Sequence, residues 1–311
     1  MAWFKRSAPK MKVEDIEDLL IQAAHSCEAD ISLVPAAVAQ AKQSVEDLER
    51  LSEISANQPV ASRCYIHAAN ILWLAGFLPL DEASRSAHRL MAIHTATKAA
   101  SVAGKMASRP GLAAVGLFLF GSAELLLGKF LLAEGDEDRA VTFWEGAVET
   151  LSGLQKAVGS QIDASTVEPL IEAQGRLANL LSQLGRQEQA YPLALEAVAM
   201  SRDLTIKNAA ALRLHSGCAL GRAQNDESGR MMLRATVETE RATHAGERLV
   251  FAMFQLGSAL GDDGQFAEAV GVFEEAQRLL PVTVTQKLLA VTSTDLDRGL
   301  ALARAQIGAG S

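Results

Sequence analysis

Apolar residues return every three or four positions along most of this chain, the period of a helix with one covered face. The stretch 249–281, LVFAMFQLGSALGDDGQFAEAVGVFEEAQRLLP, shows the pattern best. Met253, Leu256, Gly257 and Leu260 share one face of a first helix, and Phe266, Ala269, Phe273 and Ala276 share one face of a second. Asp262-Asp263-Gly264 supplies a turn between them, and Pro281 is expected to end the unit. Gly257, Ala269 and Ala276 let the two backbones approach, while Phe266 and Phe273 fill the remaining space.

The N-terminal third reads as five more helices. The first runs over 13–28, with Val13, Ile16, Leu19, Leu20 and Ala23 at helical spacing and acids in the first turn, where the helix dipole favours them. Ser32 and Pro35 open a second, to about Ile54, and Asn57 before Pro59 opens a third, to about Ala75. Residues 77–80 form a loop, Asp81 caps a fourth helix that runs to about Lys105, and Ser108 with Pro110 opens a fifth.

The spacing at 249–281 resembles the tetratricopeptide repeat, W-x2-L-G-x2-Y…G-x-Y-x2-A-x3-F-x2-A…P, nearly position for position. A second copy is Leu127, Gly128, Leu131, Gly135, Ala140, Trp144 and Ala147, with Glu137 in place of the usual aromatic. A third is Leu177, Ala178, Leu181, Gly185, Ala190, Ala194 and Ala197, preceded by a capping box at Ser165 and Glu168 with Pro169 in the first turn. Pro192 is expected to kink its second helix or delay its start. Residues 205–243 form a degenerate repeat with apolar Leu212, Leu214, Leu220, Met231, Met232 and Val237, a turn at Asn225-Asp226, and Arg230 where the motif wants alanine. Residues 283–308 read as a capping helix, broken near Ser293-Thr294. The turns at Gly135, Gly185, Asn225 and Gly264 are 50, 40 and 39 residues apart, against a usual period of about 34, so the helices or linkers run long.

The resemblance implies an all-α fold of antiparallel helical hairpins, stacked as a right-handed TPR-like α-solenoid of about 13 helices. The expected divisions are a basic tail over 1–12, a helical region of diverged repeats or a helical cap over 13–109, repeats over 110–282 and a cap over 283–311.

Composition narrows the functions. A net charge of −8 lacks the basic stripe that a nucleic-acid surface needs. Cys27, Cys64 and Cys218 are three in number and far apart, which is no disulfide framework and points to a reducing, cytoplasmic setting. The first twelve residues lack the apolar core of a secretory signal. Lys5, Arg6, Lys10 and Lys12 beside Trp3 and Phe4 suit an acidic membrane surface, but chain ends are usually unanchored and a solvated tail is the preferred reading. The uncharged run 111–123 is too short to span a bilayer, which takes about 20 residues, and reads as a buried helix.

Candidate chemistry is thin. Cys64-x-x-His67 and His215-x-x-Cys218 have the spacing of half a zinc site, and His25 and Cys27 lie two apart. No second half-site lies nearby in sequence, so packing is preferred over metal. Gly257, Gly261 and Gly264 follow no strand and make no phosphate loop, and no nucleophile elbow, H-E-x-x-H or CxxC is present. The acidic clusters at 14–18 and 134–138 lack calcium-loop spacing. No cofactor and no catalytic residue is assigned.

The resemblance further implies a concave groove, lined by first helices at 170–184, 205–224 and 249–262, that holds a peptide or protein partner. The non-core faces of those helices give Arg176, Asn179, Gln183, His215, Arg222 and Gln255 as candidate partner-binding residues. Asn179 matches the amide that this family often uses to hold a ligand's main chain. The ordered Lys and Asn residues of the chaperone-tail carboxylate clamp are missing. The expected function is a protein-interaction scaffold, and Asn179→Ala with Arg222→Ala is expected to weaken partner capture. The alternatives are a sensor of a small peptide or metabolite that regulates a partner, as in the intracellular peptide-pheromone receptors, and, at lower weight, an enzyme with its site in residues 1–110.

Overall fold

The structure is a computed structural model that describes residues 12–29, 31–76, 80–159, 164–202, 220, 227–242, 246–283 and 293–309. Among these residues there are twelve α-helices and no strand. They fall into two compact units, Met1–Glu134 and Gly135–Ser311.

The first unit holds α1 (Val13–Ala29), α2 (Val34–Leu51), α3 (Gln58–Ala75), α4 (Glu82–Ala107) and α5 (Ala113–Ala133). Helix α3 touches the other four. Its sequence, QPVASRCYIHAANILWLA, has one full charge, so it can be covered on most sides. Tyr65, Ile71, Leu72 and Trp73 are buried, and the Trp73 ring stacks on Phe130 of α5 with centroids 4.3 Å apart. Pro35 and Pro59 sit in the first turns of α2 and α3, where a missing N–H is harmless. The Asp81 carboxylate caps α4 by accepting the Ser84 backbone N–H at 2.9 Å. Arg89 gathers three helix ends: it donates to the Gly76 carbonyl at 3.3 Å and pairs with Glu82 at 2.8 Å and Glu134 at 2.5 Å.

Two helix boundaries differ from the sequence expectation. Helix α2 stops at Leu51 rather than Ile54, because the Ser52 N–H closes on Leu48 and the chain turns through 52–57. Ser108 and Pro110 lie in a turn, and α5 opens only at Ala113. Helix α5 packs on α4 and α3, within the compact unit that runs to Glu134. Gly116 makes that packing close: a Cβ there would lie 2.3 Å from the Ala107 backbone nitrogen. Helix α5 is long and apolar enough to cross a membrane by length and composition. Leu119, Ala123, Leu125–Leu127, Phe130 and Leu131 are nonetheless buried, so a place in the unit's core accounts for its composition.

The second unit holds α6 (Glu137–Val158), α7 (Ala164–Gln183), α8 (Gln187–Arg202), α9 (Glu227–Ala242), α10 (Gly246–Asp262), α11 (Phe266–Thr283) and α12 (Ser293–Ala309). The hairpins α7–α8 and α10–α11 turn in the same way. Gly185 and Gly264 have φ of 76° and 77°, a left-handed geometry that glycine adopts without strain. The next N–H reaches back five residues in each, Arg186 to the Leu181 carbonyl and Gln265 to the Leu260 carbonyl, both at 2.8 Å, as in a Schellman cap. Ala190, Ala194, Ala197, Ala269 and Ala276 are fully buried in the second helices. The Phe273 ring lies between two glycines, where a Cβ on Gly257 of α10 or Gly299 of α12 would come within 2.8 Å and 2.7 Å of it. Helix α12 closes this core with Leu296, Leu300 and Ala303.

Several expectations change here. Helix α8 opens at Gln187, five residues before Pro192, so its start is not delayed, and Pro192 lies exposed within a continuous helix. Helix α7 starts at Ala164, which puts Pro169 inside it rather than in its first turn. Helix α11 runs through Pro281 to Thr283. In α9 the core residues are Leu233 and Val237, while Met231 is 62% exposed. Arg230, placed where the motif wants alanine, pairs with Asp263 at 3.0 Å. Arg234 with Glu268 at 3.0 Å and Arg241 with Glu275 at 2.9 Å extend this row from α9 to α11. Of the first half of the 205–243 repeat, only Leu220 is described, and it is buried.

Candidate partner-binding face

Helix α7 is covered on most of its circumference, with Leu170, Ile171, Ala173, Leu177, Ala178, Leu180 and Leu181 buried. One polar strip interrupts that cover. At about 100° per residue, Glu168, Glu172 and Asn179 fall within about 40° of arc, with Arg176 and Gln183 on one flank and Ser182 on the other. The strip exists because the run EPLIEAQGRLANLLSQ places polar residues at a repeating spacing of three and four beside the apolar one.

The predicted residues occupy different environments. Arg176 is nearly buried, its side chain 13% exposed, and its Nε donates to Glu172 at 2.9 Å, one turn earlier. Gln183 is exposed at the end of the helix. Asn179 is buried, with 7% exposure. Its Oδ1 accepts no hydrogen bond among the described residues, and the same holds for Gln174 Oε1 and Ser182 Oγ, on residues 1% and 3% exposed. A buried polar atom without a partner costs about 1–3 kcal/mol, so three on one helix call for an explanation. Gln174 and Ser182 are absent from the sequence-based set. Their signal is a polar residue standing in an otherwise apolar run, which only burial turns into information.

Gln255 requires correction. The sequence puts it on a non-core face of α10, but it is 1% exposed, because α10 is contacted by α9, α11 and α12. His215 and Arg222 lie outside the described residues.

In the first unit, the Cys64-x-x-His67 spacing resolves into packing. Cys64 is fully buried, its Sγ lies 3.9 Å from the Val13 carbonyl, and burial pushes its thiol up to about 12. A thiol held protonated in this way is a poor nucleophile. No group of three His, Cys, Asp or Glu side chains suited to a metal occurs among the described residues. Burial also lowers the His67 pKa, against an opposing pull from Glu17, which itself receives two hydrogen bonds from Arg63 at 2.5 and 3.0 Å. His67 is therefore more readily protonated in the unfolded chain than in the folded one. Its contribution is complete above the unfolded value of about 6.5 and declines as pH falls below it. The melting temperature of the first unit is expected to drop between roughly pH 7 and pH 5, and His67→Gln to flatten that drop, as calorimetry across this range would read.

No family model matches the sequence, and no curated protein matches it. Among solved structures the chain is similar to the apo form of RapI, at 10% identity over 94% of this chain and 72% of that one, with a TM-score of 0.51. It is also similar to the TPR-like repeats of a protein described as a kinesin light chain from Podosopora anserina, at 18% identity over 73% and 98% of the two chains, with a TM-score of 0.46. Nro1, a nuclear import adaptor of S. pombe, aligns at 15% identity over 93% of this chain and 98% of that one, with a TM-score of 0.40. The repeated hairpins, their glycine turns and the likeness to RapI agree: in fold the chain is a divergent, long-helix tetratricopeptide-like repeat protein.

Proposed function

We propose that this chain is a protein-interaction scaffold that takes a peptide or protein segment along the polar strip of α7. The observation that carries the reading is the pair of buried, unpartnered oxygens on Asn179 and Ser182, neighbours on the strip; Gln174 lies on the apolar face of α7, away from it. Stability alone favours replacing such groups with apolar ones, so their retention is accounted for by a guest that satisfies them. The strip belongs to the first helix of a hairpin, which is the helix that the repeat resemblance assigns to the groove. The same reading keeps the cytoplasmic placement expected from the scattered cysteines.

The test is Asn179→Leu combined with Ser182→Ala. The double variant is expected to melt no lower than the parent, since it removes two unsatisfied atoms worth about 1–3 kcal/mol each. It is also expected to lose the protein that co-purifies with the parent chain, as mass spectrometry of the captured material would show. Undiminished capture by a folded double variant places the interface elsewhere. A small bound molecule in place of a protein favours the sensor.

A further inference from the structure

Three helices follow a glycine of left-handed φ: α6 after Gly135, α8 after Gly185 and α11 after Gly264. Counting from these glycines puts equivalent positions of the three side by side. Ten residues on, α6 has Glu145 and α11 has Glu274, and each meets an arginine further along the chain, Arg186 at 3.7 Å and Arg304 at 2.7 Å. Helix α8 has Leu195 there, 50% exposed. Fourteen residues on, α6 has Glu149 and α11 has Arg278, whereas α8 has Ala199, also exposed. At about 100° per residue, Leu195 and Ala199 line up with Tyr191 and Pro192, both exposed, on the side of α8 away from the buried Ala190, Ala194 and Ala197. One exposed leucine means little, but an apolar stripe at positions where the sister helices carry charge marks a surface for something else.

The rim of the stripe decides what fits it. Glu188 and Glu196 flank it, exposed and paired with no cation among the described residues. A second copy of the chain would bring the same acidic rim and a net charge of −8 to meet them. A helix with apolar residues on one face and basic ones beside it supplies both the cover and the opposite charge. We infer that the outer face of α8 docks a basic amphipathic helix of a partner protein, whose apolar side chains cover Tyr191, Pro192 and Leu195 while its lysines or arginines meet Glu188 and Glu196. This is a second surface, on a different helix from the α7 strip, and it does not depend on the reading of that strip.

The test is fluorescence anisotropy on the full chain with two fluorescein-labelled peptides. One is Lys-Leu-Ala-Lys-Leu-Leu-Lys-Ala-Leu-Lys-Lys-Leu, which gathers its leucines on one helical face. The other has the same residues shuffled so that the leucines point all round, which keeps the charge and loses the face. The parent is expected to favour the first by about tenfold, the scale of covering one apolar side chain. Leu195→Glu gives α8 the residue its sister helices carry, so it is expected to fold as the parent does and to bind the two peptides alike. Leu195→Ser asks the same question should Leu195→Glu unfold. Glu188→Gln with Glu196→Gln is expected to weaken both peptides severalfold. A parent that binds the peptides alike or binds neither, an undiminished preference in a folded Leu195→Glu chain, or unchanged affinity in the double glutamine variant overturns the inference. So does a dimer of the parent, seen by sedimentation velocity, that Leu195→Glu separates, since that gives the face to a second copy. Each of these results leaves the scaffold reading to its own test, the partner capture by the Asn179→Leu, Ser182→Ala chain.

Discussion

Phe273→Ala is expected to lower the stability of the C-terminal unit by about 3–5 kcal/mol, the range for removing a buried phenyl ring. The ring is 2% exposed, with Phe254 6.2 Å away between centroids and a glycine on each of two neighbouring helices. Gly257 and Gly299 have no side chain with which to fill the hole, so the site cannot collapse cheaply. The reciprocal change tests the same contact. Gly257→Leu drives a side chain into the ring, and overpacking of this sort costs about 1–3 kcal/mol or more. Combining the two should restore part of the loss, because leucine then enters the space that the phenyl ring has left. Denaturant titration of the two single variants and the double variant measures the coupling. Simple additivity would mean that residues 257 and 273 do not share this space.

Gly116→Val is expected to be as harmful in the first unit, and with no such rescue. The added Cβ would lie 2.3 Å from the Ala107 nitrogen and 2.8 Å from the Ala107 Cα, both of them backbone atoms. A side-chain neighbour can rotate away, but here α4 and α5 must separate along their contact. The stack of Trp73 on Phe130 is drawn into that separation, since α3 touches both helices. A loss at or above the usual overpacking range of about 1–3 kcal/mol is expected. Hydrogen exchange should show it as faster exchange in α3, α4 and α5, with α10–α12 unchanged. Protection equal to the parent's throughout α5 would contradict the close approach.

Much of the fold can be read from the chain, and the reasons are local. The glycine turns at 185 and 264 are legible because a left-handed residue at a helix end favours glycine, and the alanines at 190, 194, 197, 269 and 276 because only a small side chain suits a helix crossing. The start of α4 is legible because Asp81 caps it. What does not show is whatever depends on the next layer of packing. Pro192 suggests a broken helix, yet one absent hydrogen bond on an exposed face is tolerated. Met231 and Leu233 are equally apolar in sequence, and only the position of α9 decides that Leu233 goes inside. The site is less legible than the fold. Helical spacing finds Arg176, Asn179 and Gln183 on one side of α7, but it cannot tell that Asn179 is covered, that Gln174 and Ser182 are covered with it, or that three helices enclose Gln255.

The alanine and glycine seams have a further consequence, for how such a molecule can vary over time. Where two backbones nearly touch, the contact asks only for smallness, which alanine, glycine or serine can each meet, and the outward positions ask for little beyond solubility. Few sites therefore demand one particular letter. A lineage built in this manner can exchange most of its alphabet while its trace stays put, and kinship between its distant members survives in shape long after it has faded from spelling.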